Sequence, residues 1–487
     1  MSMDSKKATS SVLLAISVVT AIHLLFIAKN IWPINGDEAQ YFGWSQELDL
    51  GYYSKPPMLA WLIALTTKVF GGGVVGLRLA SPLCHAITAW VIFLIATRII
   101  NKNVGFWSSV TYLMLPGVSF SSSIISTDPP LMMFWAWGFY FLVRALQTDL
   151  IIDWILCGIA IGFSLLSKYT AIFFLVSLFL YLIFTPEMRP LLKKKNPYLT
   201  VLFALLAITP NLFWNMQHYF VSFIAVKNNA NLHFTSLTLH WENLFIFLGA
   251  QLAIFGPILF SVLLIGSVDS LNYHKKNITP WMSLLLFFSV PLLLLMSLEG
   301  LFSKANGNWA APGYITGCIA VIAFLLQKKQ GRNLLYLTLV LNLLVLFGLF
   351  YAQPIVRAFG IHMPISMTTT NWQTAGKKIA EIKRRHSNTS LLVDNRMLMA
   401  LAMYYSNTSL KETYKWNPLH LRNDHYDLVT DMRNKHGHDF ILVSYRPAPQ
   451  DILQHFSESH LLDTIHLETL DGQGSFLYVF HVIHFMG

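Results

Sequence analysis

Charge is the first thing this chain of 487 residues is short of: Asp, Glu, Lys and Arg make up 12% of it, about half the share of an ordinary globular domain. Cysteine is nearly missing too. Cys84, Cys157 and Cys318 are too scattered for a disulfide framework or a metal site and read as small core residues. No segment repeats another at a fixed period and none is low in complexity, which leaves out solenoids and disordered tracts. Ten-residue alternating stretches are also lacking, and with them a membrane barrel. The first apolar run follows Lys6 and Lys7 but lacks a small-x-small cleavage site, so it is expected to stay as an anchor.

What remains is hydrocarbon: 54% of the residues are hydrophobic and mean hydropathy is +0.51. Apolar runs long enough to cross about 30 Å of bilayer recur near 10–29, 79–97, 103–122, 129–147, 151–166, 170–184, 199–216, 244–267, 279–298, 309–326 and 333–352, about eleven in all. The expected fold is an all-α polytopic membrane domain over residues 1–352, with interfacial helices in a 31–78 loop. A small α/β domain follows over 353–487. There, strand-like SLLVD, DFILVSY and SFLYVFHVI alternate with helical WQTAGKKIAEIKRR and APQDILQHF. This tail has no nucleotide fingerprint and no nucleophile elbow. Its eleven histidines, HGH and HVIH included, lack regular metal-ligand spacing.

Orientation follows from basic residues on short loops. With the N-terminus inside, fourteen fall on the cytoplasmic side, in segments such as MRPLLKKKNP, YHKKN (with Lys275 and Lys276) and QKKQGR, against seven outside before the tail. The net charge of +10 thus reflects topology, and no nucleic-acid partner is expected. An odd number of spans puts the tail outside, the periplasm of a Gram-negative cell.

The same orientation gathers the polar motifs on the outer face: GDE, SKPP, STDPP, SKY, WNMQH and EGLFSKANGNW. Together they suggest one composite site at the membrane boundary. Asp37 and Glu38 open a helix over 37–48 that sets Tyr41, Trp44 and Leu48 along one side, as suits a helix in the interface. Carboxylates beside a bilayer are functional candidates, though first-turn acids also favour the helix dipole. Adjacent helical residues point about 100° apart, so the two are not equivalent. Pro56 and Pro57 hold Lys55 extended, either snorkelling to headgroups or facing a phosphate. Thr127 or Asp128 is a natural N-cap before Pro129. Lys168 opens a span at the end where the helix dipole disfavours a cation, which hints at a ligand. His218 reads as a metal ligand, a base or an interfacial residue. Lys304 and Asn308 precede Trp309, an interface anchor.

An acidic pair in the first outer loop, then GYYSKPPMLAWLIAL and TDPPLMMFWAW, then LLSKYTAIFF, PNLFWNMQHYFVSF and NWAAPGYI, resembles the GT-C-type glycosyltransferases. The nearest group is the bacterial one containing the aminoarabinose lipid A transferase, related to protein O-mannosyltransferases. The resemblance covers roughly residues 30–320. It implies transfer of a sugar from a polyprenyl-phosphate carrier to lipid A or another glycolipid outside the cytoplasm, at a bacterial inner membrane. It maps the key acid onto Asp37, with Glu38 beside it, and sets Lys55 against the donor phosphate. Lys168 and Lys304 would add to that phosphate site. Asp128, Tyr53, Asn215, His218 and Asn308 would position donor or acceptor. Relatives carry an acid before the lysine of the Lys-Pro-Pro motif, and in the aminoarabinose enzymes it resembles a metal ligand. Here that position is Ser54, a poor ligand, so no cofactor is required and a divalent metal, with His218 as ligand, stays open. Displacement in one step would invert the anomeric centre. Protein acceptors are the alternative within this class, and a lipid-linked sugar flippase the alternative outside it. The near absence of acids within the spans argues against the flippase.

Overall fold

The computed structural model describes residues 5–30, 32–230, 238–272, 279–351, 354–355, 358–359, 369–469, 472 and 474–487. Lys275, Lys276 and the expected boundary at 352–353 lie outside them. The chain divides into two compact units. The first holds Met1–Ala28, Lys55–Leu59 and Arg78–Phe350; the second holds Lys29–Ser54, Ala60–Leu77 and Tyr351–Gly487. The first outer loop therefore groups with the tail.

The first unit is helical and apolar, and the chain is a multi-pass membrane protein. Among the described residues, five helices are long and apolar enough to cross a membrane: Ala8–Ala28, Val74–Ile99, Asn196–Gln217, Pro280–Phe302 and Lys329–Phe350. The bent pairs Tyr169–Phe184 with Pro186–Lys193 and Trp241–Phe255 with Pro257–Asp269 raise that number to seven. The run expected as one span at 244–267 is thus two helices meeting at 111°. The run at 103–122 likewise breaks into Lys102–Met114 and Pro116–Ser121. Proline supplies no N–H and crowds the preceding turn, so both breaks fall where the ladder cannot continue.

Two consecutive helices matter most for function. Asp128–Thr148 and Ile151–Ser167 are joined by a two-residue turn and pack side by side, so the start of the first meets the end of the second. At the turn, Asp153 is fully buried and bonds Arg144 at 3.0 Å. The second of these helices also packs closely on Asn196–Gln217. A Cβ added at Gly162 would sit 2.3 Å from the Ala207 Cβ, the small-residue approach that membrane helices use in place of a hydrophobic driving force.

The second unit is a five-stranded sheet with helices. Its strands are β1 Ser390–Val393, β2 Thr413–Lys415, β3 Phe440–Ser444, β4 Phe456–Leu467 and β5 Ser475–Phe485, in spatial order β2-β1-β3-β5-β4. β1 pairs in parallel with β2 and β3, while β5 runs antiparallel to β3 and β4. Leu392, Phe440, Leu442, Ile452, Phe456, Val482 and Phe485 form its core. The three strands expected from the sequence are present. β4 had no signal, because as an edge strand it is exposed over most of its length and carries no period-two apolar face.

Helix Gly36–Gln46 belongs to this unit. Its aromatics do not face lipid. Trp44 is buried, stacked on Tyr52 at 4.6 Å and edge-on to His425 at 5.3 Å, while Leu48 lies beyond the helix and is exposed. Burial pushes the His425 imidazole down to about 3, so it packs as a neutral ring. Gly36 is where this helix meets helix Arg396–Ser406. A Cβ there would lie 2.6 Å from Met397 Sδ and 2.8 Å from Met397 Cβ. Gly36→Ala is expected to destabilise the protein by about 1–3 kcal/mol, as overpacking does. Thermal melting of the detergent-solubilised chain measures it, and an unchanged midpoint would show that the helices separate freely.

Candidate active site

The hairpin Asp128–Thr148/Ile151–Ser167 decides the first cluster. Asp128 is the first residue of its helix, with Thr127 as the N-cap and no side-chain capping bond. The capping role open to Asp128 is therefore not the one it plays. Its Oδ1 instead takes a hydrogen bond of 2.6 Å from Lys168 Nζ, with both side chains about nine-tenths buried. Lys168 is the C-cap of Ile151–Ser167 as well as the residue before Tyr169–Ala171. Its cation thus sits at a helix C-terminus, where the dipole favours it, opposite an anion at a helix N-terminus. That corrects the expectation that the dipole disfavours this lysine. Asn308, from the turn Gly307–Ala310, donates Nδ2 to Asp128 Oδ2 at 2.6 Å. Lys55 stands near enough to act on the Asp128 carboxylate electrostatically. Lys304 is exposed and takes no part in these bonds.

Asn215 and His218 build the ground under Lys168. Tyr169 donates its hydroxyl to Asn211 Oδ1 at 2.8 Å and accepts from Asn215 Nδ2 at 3.2 Å. Both asparagines are fully buried. These bonds pin the residue next to Lys168. His218 stacks on Trp214 at 4.0 Å and gives its Nδ1 hydrogen to the Trp214 carbonyl at 2.8 Å.

A cavity of about 330 Å³ opens beside Asp128 and Asn308. It is lined mainly by apolar side chains, among them Leu115, Val118, Phe120, Met132, Ile254 and Tyr314. His85 closes one wall, its Nδ1 2.9 Å from the Tyr112 hydroxyl and its Nε2 3.0 Å from Ser121 Oγ. An apolar pocket edged by Asp128, itself bonded to Lys168, suits a molecule with a polar head and a hydrocarbon body.

The second unit holds the acidic pair, and there its members part ways. Glu38 is almost fully buried and serves a capping box. Its Oε2 accepts from Asn35 N–H and Nδ2, each at 3.2 Å, and its own N–H donates to Asn35 Oδ1 at 3.0 Å. Such a carboxylate fixes the helix start. Asp37 is 39% exposed, and its Oδ1 accepts from Arg396 Nη1 at 3.1 Å. Arg396 also donates to Gln40 Oε1. Tyr53 is buried, which pushes its phenol pKa upward, as do the nearby Asp424 and Asp427, while Arg396 opposes them. The loop before it is set by the Tyr52 hydroxyl, 3.0 Å from the Trp44 carbonyl, and by Trp61 Nε1, which donates to Asp49 O at 3.1 Å. Reading the sequence missed Arg396, which lies among many tail cations and has no motif.

The donor set for a metal does not fit. Ser54 offers only a hydroxyl, His218 has spent Nδ1, and among the described residues no three of His, Cys, Asp and Glu come together to hold an ion. No step below is routed through one.

Residues 54–214 match the family described as dolichyl-phosphate-mannose-protein mannosyltransferase. Over 306 residues the chain is 32% identical to the lipid A galacturonosyltransferase RgtD of Rhizobium johnstonii, covering 61% of this chain and 62% of that protein. The alignment thus spans less than two thirds of that relative's length. Identity to the undecaprenyl phosphate-α-4-amino-4-deoxy-L-arabinose arabinosyl transferase of Photorhabdus laumondii is 24% over 396 residues, covering 70% of this chain and 66% of that one. In fold, the chain is similar to ArnT of Cupriavidus metallidurans bound to undecaprenyl phosphate, with a TM-score of 0.68 at 14% identity, over 97% of this chain and 98% of the other.

Proposed function

We propose that this chain is a GT-C membrane glycosyltransferase of the aminoarabinose-transferase type and moves a sugar from a polyprenyl-phosphate carrier to lipid A or the lipopolysaccharide core. The observation that carries this reading is the cluster of Lys168, Asp128 and Asn308, of which Asp128 and Asn308 line an apolar cavity while Lys55 acts on the same carboxylate. A phosphodiester donor brings one negative charge and a hydrocarbon tail. Lys168 and Lys55 are the cations that would meet that charge, and the pocket accepts apolar substance.

In the reaction, the acceptor oxygen attacks the anomeric carbon as the bond to the carrier phosphate breaks. The electron pair of that bond goes to the phosphate, whose growing charge Lys168 and Lys55 stabilise. Asp128 keeps Lys168 in place and Asn308 keeps Asp128 in place. Asp37 takes the proton if the acceptor is a hydroxyl. If the acceptor is a lipid A phosphate, already ionised, Asp37 positions donor or acceptor instead, through their hydroxyl groups. One displacement inverts the anomeric configuration. Glu38, held in its capping box, is not assigned the base. We place the protein in a bacterial inner membrane with its N-terminus in the cytoplasm and the reaction on the periplasmic side, as the distribution of basic loops supports.

Mass spectrometry of lipid A and core lipopolysaccharide from cells with and without the protein tests the proposal. Loss of one sugar increment on deletion is expected. A hexuronic-acid increment would ally the chain with the galacturonosyl relative and an aminopentose with the arabinosyl one. Unchanged lipids with altered glycoproteins would move the acceptor to protein. Unchanged lipids and glycoproteins would discard the enzyme reading.

A further inference from the structure

Arg396 occupies an awkward place for a cation. It is the first residue of helix Arg396–Ser406, whose N-cap Asn395 accepts the N–H groups of Met397 and Leu398 at 2.9 and 3.1 Å. The positive end of the helix dipole lies there, and positive side chains are disfavoured. What offsets this is across the helix pair. Asp37 Oδ1 and Gln40 Oε1, one helical turn apart, both accept from the same guanidinium nitrogen.

The contact is built into the packing. Gly36 leaves room for Met397, and Phe42 meets Tyr404 edge-on at 5.0 Å. The Tyr404 hydroxyl donates to the Gly72 carbonyl at 3.1 Å. Two contacts between the helices and one from Tyr404 to the Gly72 loop thus fix where the guanidinium stands. Stability does not explain the pair, since an ion pair with side chains 31% and 39% exposed contributes about 0–1 kcal/mol. Its effect is directional. Arg396 holds Oδ1 at 3.1 Å, and among the described residues no hydrogen bond is made to Oδ2.

We infer that Arg396 is a positioning residue for Asp37: the C-terminal sheet unit supplies the group that aims the reacting carboxylate, so the tail takes part in catalysis as well as in folding. This rests on the reading that Asp37 acts in the transfer. The charged and titratable groups near the pair include Glu38, Tyr53, Tyr426, Asp424 and Asp427, with Lys415 bonded to the last two. Glu38 is occupied by its cap. Lys415 bonds Asp424 and, at 2.8 Å, Asp427. None of these replaces Arg396 on Asp37.

A double-mutant cycle on the full-length reconstituted chain decides the matter, with kcat and KM measured for wild type, Asp37→Asn, Arg396→Ala, the double variant and Arg396→Lys. A misaimed group costs up to about a hundredfold in rate. Arg396→Ala is therefore expected to lower kcat by that order with KM little changed, and Arg396→Lys to recover part of it. In the Asp37→Asn background, Arg396→Ala is expected to add nothing, because groups acting as a unit are not additive. Losses that multiply would overturn the inference and make Arg396 a separate structural or binding residue. Wild-type kcat in Arg396→Ala would overturn it as well. Full activity in Asp37→Asn alone would instead strike at the reading of Asp37, a result distinguishable from both. Thermal melting of each variant identifies one that fails to fold, and Arg396→Lys then carries the comparison.

Discussion

Asp37→Asn is expected to slow transfer to a hydroxyl acceptor by about a hundred- to ten-thousandfold, the usual contribution of a positioned general base. Asparagine keeps the shape of the side chain and an oxygen that still accepts from Arg396, so the helix pair stays assembled. What is lost is the capacity to take a proton. Initial rates with a polyprenyl-phosphate-linked sugar donor measure the effect, and the same variant in cells should lack the sugar increment on its lipids. Glu38→Gln is the informative contrast. Its Oε oxygen can still meet Asn35, so the capping box weakens by about 1 kcal/mol at most and the rate should hardly move. A wild-type rate in Asp37→Asn together with a collapsed one in folded Glu38→Gln would reverse the assignment made to this pair.

Lys168→Met is expected to cost about 3–5 kcal/mol of stability, the usual result of removing one partner of a buried ion pair. Asp128 is only 14% exposed in its side chain, and with Lys168 gone its remaining partners are the Asn308 amide and the field of Lys55. The double variant Asp128→Asn/Lys168→Met removes the stranded charge and should recover most of the melting temperature. It should not recover activity, because the cation facing the donor phosphate is gone. That split separates two roles which a single substitution confounds. A double variant that is both stable and active would show that Lys168 serves only the fold. One that stays unstable would show that the pair contributes more than charge balance to the hairpin.

The two units were legible from the sequence to different depths. The apolar runs marked a multi-pass membrane protein, because a span needs about twenty consecutive apolar residues whatever its neighbours are. Of the eleven or so runs expected, the described residues give five helices of that length, or seven with each bent pair as one span. Breaks such as the one at Pro257 needed the structure, since proline is tolerated in some membrane helices and ends others. In the tail, β1, β3 and β5 are buried apolar runs and could be read, whereas β4 is an exposed edge and could not. The aromatic residues of Gly36–Gln46 were read as facing lipid because their spacing fits an interface. A protein core uses the same spacing, and the structure buries Trp44 against Tyr52 and His425.

For the site, the sequence by itself determined the inventory: adjacent carboxylates, the lysine before two prolines, the Asp-Pro-Pro start of a helix and the Ser-Lys-Tyr turn. Residue types and local spacing carry that information, and their order along the chain carries the resemblance. Only the tertiary structure decided what each residue does. Capping geometry, invisible in composition, bonds Glu38 to Asn35, while Asp37 meets Arg396. The return of a helix hairpin sets Asp128 against Lys168, forty positions apart, and a distant turn adds Asn308. The ion pair of Asp37 with Arg396 spans 359 positions. No local period marks such a partner, because which cation reaches a carboxylate is settled by how helices and sheet pack.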